Sequence, residues 1–249
     1  GSRLTPGALV AAAGAGASEV RVTRRSRVVT IATGDELRAA GANLDTADQV
    51  PDSIGPGLSA MLAGLGAEVL GHHLLGDDLR ALEAVAADTV AAADLVVVTG
   101  GASVGARDHA KAMFAPLGME LFFSKVAIKP GKPVWLGRVG STLVMGPPGN
   151  PSSAMVTARL LLAPLVAGLL GQRLLVPLEW INLPLAAPLP ATGDRETFLR
   201  AMLVEGRLVP LANQDSGGQR PLAEATWLIR CPAGQGPIGS GAIVAALAF

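Results

Sequence analysis

The stretch ADLVVVTGGASVGARD (93–108) decides the fold. Leu95 to Val98 are consecutive apolar residues, mostly β-branched, and read as a strand buried on both faces. Thr99 closes the strand. Gly100 and Gly101 then allow a tight turn, and Asp108 stands at the entry to a helix. Strand, glycine turn and helix in that order make half of a βαβ unit. The pattern repeats on both sides. Upstream, RVVTIA (27–32) is another continuous apolar run, closed by Thr33-Gly34, and AEVLGHH (67–73) is a further strand. Helices are predicted over 54–65 and over DLRALEAVAADTVAAA (78–93), the latter capped by Asp77 or Asp78. Downstream, a helix over 107–117 ends at Pro116 and Gly118. MELFFSKVAI (119–128), PVWLG (133–137) and STLVMG (141–146) read as strands, and a helix runs from Pro151 to about Leu170.

The expected architecture is therefore α/β: a mostly parallel open sheet with flanking helices, followed by a small all-β domain. The texture changes after Gly171, where prolines recur at 177, 184, 188 and 190 and short apolar runs alternate with turns, predicting four or five strands. Residues 5–17 predict a short helix and VRVT (20–23) a short strand. The domains are read as a lead-in segment (1–25), an α/β domain (26–172) and a C-terminal β domain (173–249).

Composition narrows the function. The 249 residues carry 20 basic and 20 acidic side chains, so no net charge favours a polyanion. Aromatics are only 3% of the chain, too few for a base-stacking platform, and no nucleic-acid partner is expected. The single Cys231 excludes an internal disulfide framework and any multi-cysteine zinc site, and fits a cytoplasmic setting. The most apolar stretch, near 160–171, is interrupted by Pro164 and Gly168 and preceded by Arg159, so no membrane span is expected. The opening GSRLTPG is neither a signal nor a transit peptide, and Gly1-Ser2 reads as a cloning remnant.

In an open α/β sheet, ligands bind beyond the carboxyl ends of the strands. TGDE (33–36) projects Asp35 and Glu36 there, as a divalent-metal or acid/base pair or as a turn cap. TGGASVGARD offers the backbone of Gly100 and Gly101 as an anion nest, hydroxyls at Thr99 and Ser103, and the carboxylate of Asp108. GPPGNPSS (146–153) brings Pro147 and Asn150 to a helix start, with Asn150 read as its cap. KVAIKPGKP (125–133) sets Lys125, Lys129 and Lys132 in an apolar context, with Lys125 and Lys129 on one face of an extended strand, which favours an anionic ligand. Asp78 follows Gly76-Asp77 as a metal ligand or a helix cap. His72 and His73 are adjacent on a strand, cannot easily share a metal, and read as structural or surface residues. Cys231 has no partner histidine. Carboxylates beside anion cradles suggest Mg²⁺ with a phosphorylated or nucleotide-like substrate.

These motifs, taken with RLTPGAL, DSIGPGLSAML, DRETFLRA and QDSGGQRPLAEA, resemble the molybdopterin molybdenumtransferase family, to which the gephyrin E domain also belongs. The resemblance implies insertion of molybdate into the dithiolene of adenylylated molybdopterin, with release of AMP and a divalent cation, Mg²⁺. It implies that Asp35, Glu36, Asp78 and Asp108 place the metal and the adenylate. It makes Lys125, Lys129 and Lys132 phosphate and molybdate contacts, and gives the pterin phosphate or nucleotide to Gly100, Gly101 and Ser103. It adds Arg195, Arg200 and Ser216 from the last domain to the molybdate pocket. The partner is then a small pterin nucleotide, in a family whose full-length members form homodimers. Two alternatives stand beside this reading. One is a non-catalytic molybdopterin-binding or scaffold module, since the family's N-terminal arm and small domain are not in this sequence and Ile54 replaces a usual Asn. The other is a molybdopterin adenylyltransferase-like enzyme.

Overall fold

The computed structural model describes residues 1–2, 4–100, 109–172 and 178–249. In chain order its strands are β1 (Arg27–Thr33), β2 (Leu37–Arg38), β3 (Val50–Pro51), β4 (Glu68–Leu75), β5 (Leu95–Thr99), β6 (Glu120–Phe123) and β7 (Ile128–Lys129). They continue with β8 (Trp135–Val139), β9 (Thr142–Gly146), β10 (Ile181–Pro184), β11 (Glu196–Val204), β12 (Arg207–Pro210), β13 (Trp227–Cys231) and β14 (Ile243–Ala248). The helices are α1 (Pro6–Gly14), α2 (Ile54–Gly64), α3 (Leu79–Ala92), α4 (His109–Ala112), α5 (Pro151–Thr157), α6 (Ala163–Leu169) and α7 (Gln219–Glu224). A π turn over Ala158–Leu162 joins α5 and α6 into one continuous helix.

The main sheet has the order β4-β1-β5-β9-β8-β6. Its first four strands are parallel, and β8 and β6 are antiparallel additions at one edge. Alternate residues of the buried strands face opposite ways. Val28 and Val97 therefore meet Leu58 and Leu62 of α2 on one face. Val29, Ile31, Val96 and Val98 meet Leu82 and Ala86 of α3 on the other. Parallel pairing brings the carboxyl ends of β1, β4, β5 and β9 to one edge, where the glycine-rich loops emerge.

A second sheet, β10-β14-β13-β11-β12, is antiparallel along this path. The C-terminal region is β-rich but not wholly β, because α7 sits between β12 and β13. One strand of this sheet comes from the α/β part of the chain. β7 pairs in parallel with β11, with Ile128 opposite Glu196 and Lys129 opposite Thr197.

That pairing corrects the expected strand over 119–128, which is two strands in two sheets. β6 stays on the main sheet, whereas Ile128 is drawn into a separate core with Phe198, Leu228 and Leu247. Lys125 and Lys129 consequently do not share one extended strand. VRVT (20–23) forms no ladder: Val20 and Val22 are exposed, and the segment is held beside the sheet by Arg24, whose guanidinium grips Asp94 through two bonds of 2.6 Å. The helix expected over 107–117 is α4 followed by a 3-10 turn at Ala115–Leu117.

The helix Pro151–Leu169 also differs from expectation. At 19 residues, with a mean hydropathy of 1.5, it is long and apolar enough to cross a membrane by length and composition. In the fold 61% of that apolar window is buried, which is the setting of a core helix packed between two sheets.

Candidate functional site

The loops at the carboxyl edge of the main sheet are tied to one another. Gly34 N–H donates to the Leu75 carbonyl at 3.0 Å, joining the ends of β1 and β4. The Oδ1 of Asp35 accepts from Asp77 N–H at 2.9 Å. Asp78 caps α3, its Oδ1 accepting from Arg80 N–H at 2.9 Å. Gly100 has φ of +92°, and a Cβ at this position would run into the Thr33 carbonyl oxygen, so only glycine lets β1 and β5 end side by side. A Cβ on Gly149 would lie 3.7 Å from the Gly100 Cα, which places the GPPGNP loop against Gly100 at the end of β5.

The predicted metal ligands are only partly served by this arrangement. Among the described residues no three Asp, Glu, His or Cys side chains converge as a metal site. Asp35, Glu36 and Asp78 are therefore not gathered as a ligand set by themselves. Gly101, Ser103 and Asp108 lie outside the described residues. Thr99 is buried at the end of β5 and donates inward to the Ile31 carbonyl at 3.4 Å, so its hydroxyl is not presented to a ligand. Pro147 is buried at the end of β9.

Four of the remaining predicted residues, Lys129, Lys132, Arg195 and Ser216, meet at the seam between the two sheets. A cleft of about 390 Å³ is lined there by Lys129 and Lys132, by Arg195 and Thr197, and by Asp215 and Ser216. β7 carries Lys129 into it, and the Pro130-Gly131 turn after β7 carries Lys132. A recess of about 170 Å³ adjoins it and shares Lys129, Arg195 and Thr197. Three cationic side chains on one small concavity favour an anion. Lys125 does not line this cleft.

Asn150 reaches the same place by a different bond from the expected cap. It occupies the N-cap position of α5 without a side-chain capping bond, and its Nδ2 donates instead to Ser216 Oγ at 3.1 Å. The Ser216 hydroxyl thus accepts from Asn150 and keeps its own proton to donate. Ser216 is also fixed through its carbonyl, which accepts from Ser152 N–H at 3.0 Å.

Arg200 is in the neighbourhood but not on the cleft wall. Its side chain is 1% exposed. Nη1 donates to Ser152 Oγ at 2.6 Å, and Nη2 donates to the Asp215 carbonyl at 2.8 Å. Burial lowers its pKa from the ordinary arginine value, and the nearby Asp215 charge opposes that shift.

One polar network was not anticipated. His72 Nε2 lies 2.7 Å from Asp52 Oδ2, and His72 Nδ1 lies 2.8 Å from Thr30 Oγ1. Asp52 also accepts from Gly55 N–H at 3.0 Å, which anchors the start of α2 to β4. The usable sequence signal was the period-2 alternation that puts His72 opposite Thr30 in parallel register. Asp52, 20 residues away in sequence from His72, gave no such signal. Cys231 is buried, and burial pushes its thiol up to about 11, which removes it as a nucleophile.

Comparison with known proteins agrees with this architecture. Residues 29–168 match the family model described as "Probable molybdopterin binding domain", and residues 182–249 match the MoeA C-terminal region (domain IV). A molybdopterin molybdenumtransferase of Synechococcus elongatus is 34% identical over 245 residues, 97% of this chain and 60% of that protein. One from Haemophilus influenzae is 39% identical over 173 residues, 70% of this chain and 42% of the relative. The structure of a molybdopterin biosynthesis MoeA protein from Pyrococcus horikoshii superposes with a TM-score of 0.83 at 28% identity, covering 100% of this chain and 60% of its own. An α/β domain followed by a β-rich domain is the pair that these two family models describe. The chain belongs to the molybdopterin molybdenumtransferase family. It spans about 42% to 60% of the length of these relatives.

Proposed function

We propose that this chain carries the substrate-binding machinery of a molybdenum insertase acting on adenylylated molybdopterin. Molybdate is the inserted substrate and AMP the released product. The observation that carries the reading is the convergence of Lys129, Lys132, Arg195 and Ser216 on one cleft of about 390 Å³. Molybdate is a compact dianion, and cations clustered on one concavity sum their fields to hold it. Ser216, oriented by Asn150, supplies a hydroxyl donor to an oxo group. The carboxyl-edge loops, with Gly100 and Gly149 in close approach, are the place for the pterin phosphate and the nucleotide.

In the reaction two Mo–S bonds form while one oxo group leaves as water with the two thiol protons. Water cleaves the phosphoanhydride bond to the adenylate, and AMP departs. Lys129, Lys132 and Arg195 hold the oxyanion during the exchange. Lys125, outside the cleft, is assigned to the departing phosphate. Glu36 and Asp108 are the acid–base candidates beside the adenylate. Dependence on a divalent cation belongs to the same reading through Asp108, but Asp35, Glu36 and Asp78 are not gathered as a ligand set and no step is routed through a metal. A cytoplasmic setting and a homodimer in the longer protein complete the proposal.

The test is release of AMP from adenylylated molybdopterin, with and without molybdate. Molybdate-dependent release supports the reading. Binding of the pterin nucleotide with no release in either condition replaces it with a binding module. Absence of both binding and release rejects it.

A further inference from the structure

We infer that Arg200 is a positioning residue, a buried latch between the two domains that seats the 213–218 loop on the first turn of α5 and so sets the shape of the cation-lined cleft. This inference rests on the oxyanion-binding reading of that cleft and explains what holds it together.

Arg200 stands in the middle of β11, paired with Leu228 of β13, and its position is therefore fixed by the second sheet. Both its backbone and its side chain grip the loop. The backbone N–H donates to Gln214 Oε1 at 3.0 Å, and the carbonyl accepts from Gln214 Nε2 at 2.8 Å. The guanidinium donates to the carbonyls of Asp215, at 2.8 Å, and Asn213, at 3.4 Å. Its other arm crosses the domain seam to Ser152 Oγ at 2.6 Å. Ser152 is fully buried and passes the bond on, its hydroxyl donating to the Gly218 carbonyl at 3.2 Å. Its own N–H holds the Ser216 carbonyl at 3.0 Å.

Ser216 thus takes its place in the cleft from a chain of bonds that starts at Arg200. A planar, forked cation suits this task because it reaches a hydroxyl and two carbonyls at once. A lysine ammonium, a point charge on a flexible stem, does not. Bonds in such a buried series strengthen one another, so losing either end weakens the whole. Among the described residues no carboxylate lies within ion-pairing distance of Arg200. Its charge is held mainly by hydroxyl and carbonyl dipoles, with the nearby Asp215 carboxylate in support, and adds to the field of Lys129, Lys132 and Arg195.

A latch and a direct ligand contact make different predictions at Ser152, which does not line the cleft. The experiment compares the full chain with Arg200→Lys, Ser152→Ala and the double variant. Three readouts are used: amide hydrogen exchange over 213–218, molybdate titration by calorimetry, and thermal melting. Both single variants are expected to accelerate exchange in 213–218 and to weaken molybdate by about tenfold, the scale of one charge-assisted hydrogen bond. The double variant is expected to be no weaker than the worse single one, because both changes break the same bond. If Arg200→Lys loses molybdate affinity while Ser152→Ala keeps native exchange and native affinity, Arg200 is a ligand contact and the latch is wrong. If neither variant changes exchange, the loop is held by other means and the latch is equally wrong. Should Arg200→Lys melt below the assay temperature, Ser152→Ala decides alone by the same criteria. Failure of the unaltered protein to bind molybdate rejects the oxyanion reading and not the latch, which the exchange data still decide.

Discussion

Asp35 Oδ1 accepts a hydrogen bond from the backbone N–H of Asp77 at 2.9 Å, which makes the loops after β1 and β4 a single acidic unit. A Cβ on Gly76 beside it would lie 2.7 Å from the same oxygen, so a side chain there would displace the Asp35 carboxylate from this bond. Asp35→Ala is expected to lower stability by about 1 kcal/mol, the worth of an exposed hydrogen bond to a charged acceptor. Asp35→Asn, which keeps an acceptor oxygen, should recover most of that loss. Urea denaturation of the three proteins measures it. Equal losses in both variants would show that the charge, and not the bond, joins the loops.

Lys129 is an exposed side chain on the shared strand β7, at the mouth of both the larger cleft and its adjoining recess. Lys129→Ala should weaken molybdate binding by about tenfold or more while moving the melting temperature little, as expected of a surface truncation. The native interaction should also weaken as ionic strength rises. Calorimetric titration in low and high salt checks both. Undiminished affinity in the variant would move the oxyanion elsewhere.

Gly100 and Gly118 both have positive φ, +92° and +70°, but differ in their surroundings. A Cβ on Gly100 collides with the Thr33 carbonyl, whereas one on Gly118 meets nothing within 4 Å. Gly118→Ala should therefore cost about 1 kcal/mol of backbone strain, and Gly100→Ala about 3 kcal/mol or more, because β1 and β5 must separate. Comparable denaturation midpoints for the two variants would contradict the close approach of the strands.

The carboxyl of Asp94 is held at about 2 by its hydrogen bonds to the Arg24 guanidinium, helped by the Arg27 backbone N–H and by the charges of Arg24 and Arg27. Its folded pKa lies below the unfolded value of about 3.9. The stabilisation is therefore complete above about pH 4 and is lost as pH falls through about 2. Asp94→Asn should lower stability at neutral pH and flatten the acid limb between those values. Urea midpoints measured from pH 7 to pH 2 test the point, and parallel acid limbs would refute it.

Burial raises the Cys231 thiol to about 11 and leaves it 1% exposed. At pH 8 an aromatic disulfide reagent should label it only as fast as the protein opens, and at once after unfolding in urea. Rapid labelling of the folded protein would mean that Cys231 is not sealed in the core it shares with Ile229, Val244 and Ala246.

Much of the fold was legible locally. β1 and β5 announce themselves because a short continuous β-branched run closed by glycine has few other uses in an α/β chain, and the glycines that end them answer to local backbone geometry. Asp78 as the cap of α3 follows from its place before a helical period. The cleft was legible only in pieces. Lys129 and Lys132 stood out as charges in an apolar stretch, but their approach to Arg195 and Ser216 needs β7 to leave its own sheet. Nothing within 119–128 signals that departure, since Ile128 is as suitable for one core as for the other. Arg200 and Asn150 show the reverse error. Their residue types fit ligand binding and helix capping, yet their acceptors are loop atoms that sequence spacing cannot supply.

The sequence by itself determined the strand–turn–helix units, their glycine-closed ends and the family motifs, because each depends on residues within a few positions of one another. The tertiary structure alone decided that Lys129 joins β11, that Arg200 reaches across to Ser152, and that Asp52 meets His72. Those partners are separated along the chain, and tertiary packing brings them together: the second sheet against helix Pro151–Leu169 for Lys129 and Arg200, and α2 against β4 for Asp52 and His72.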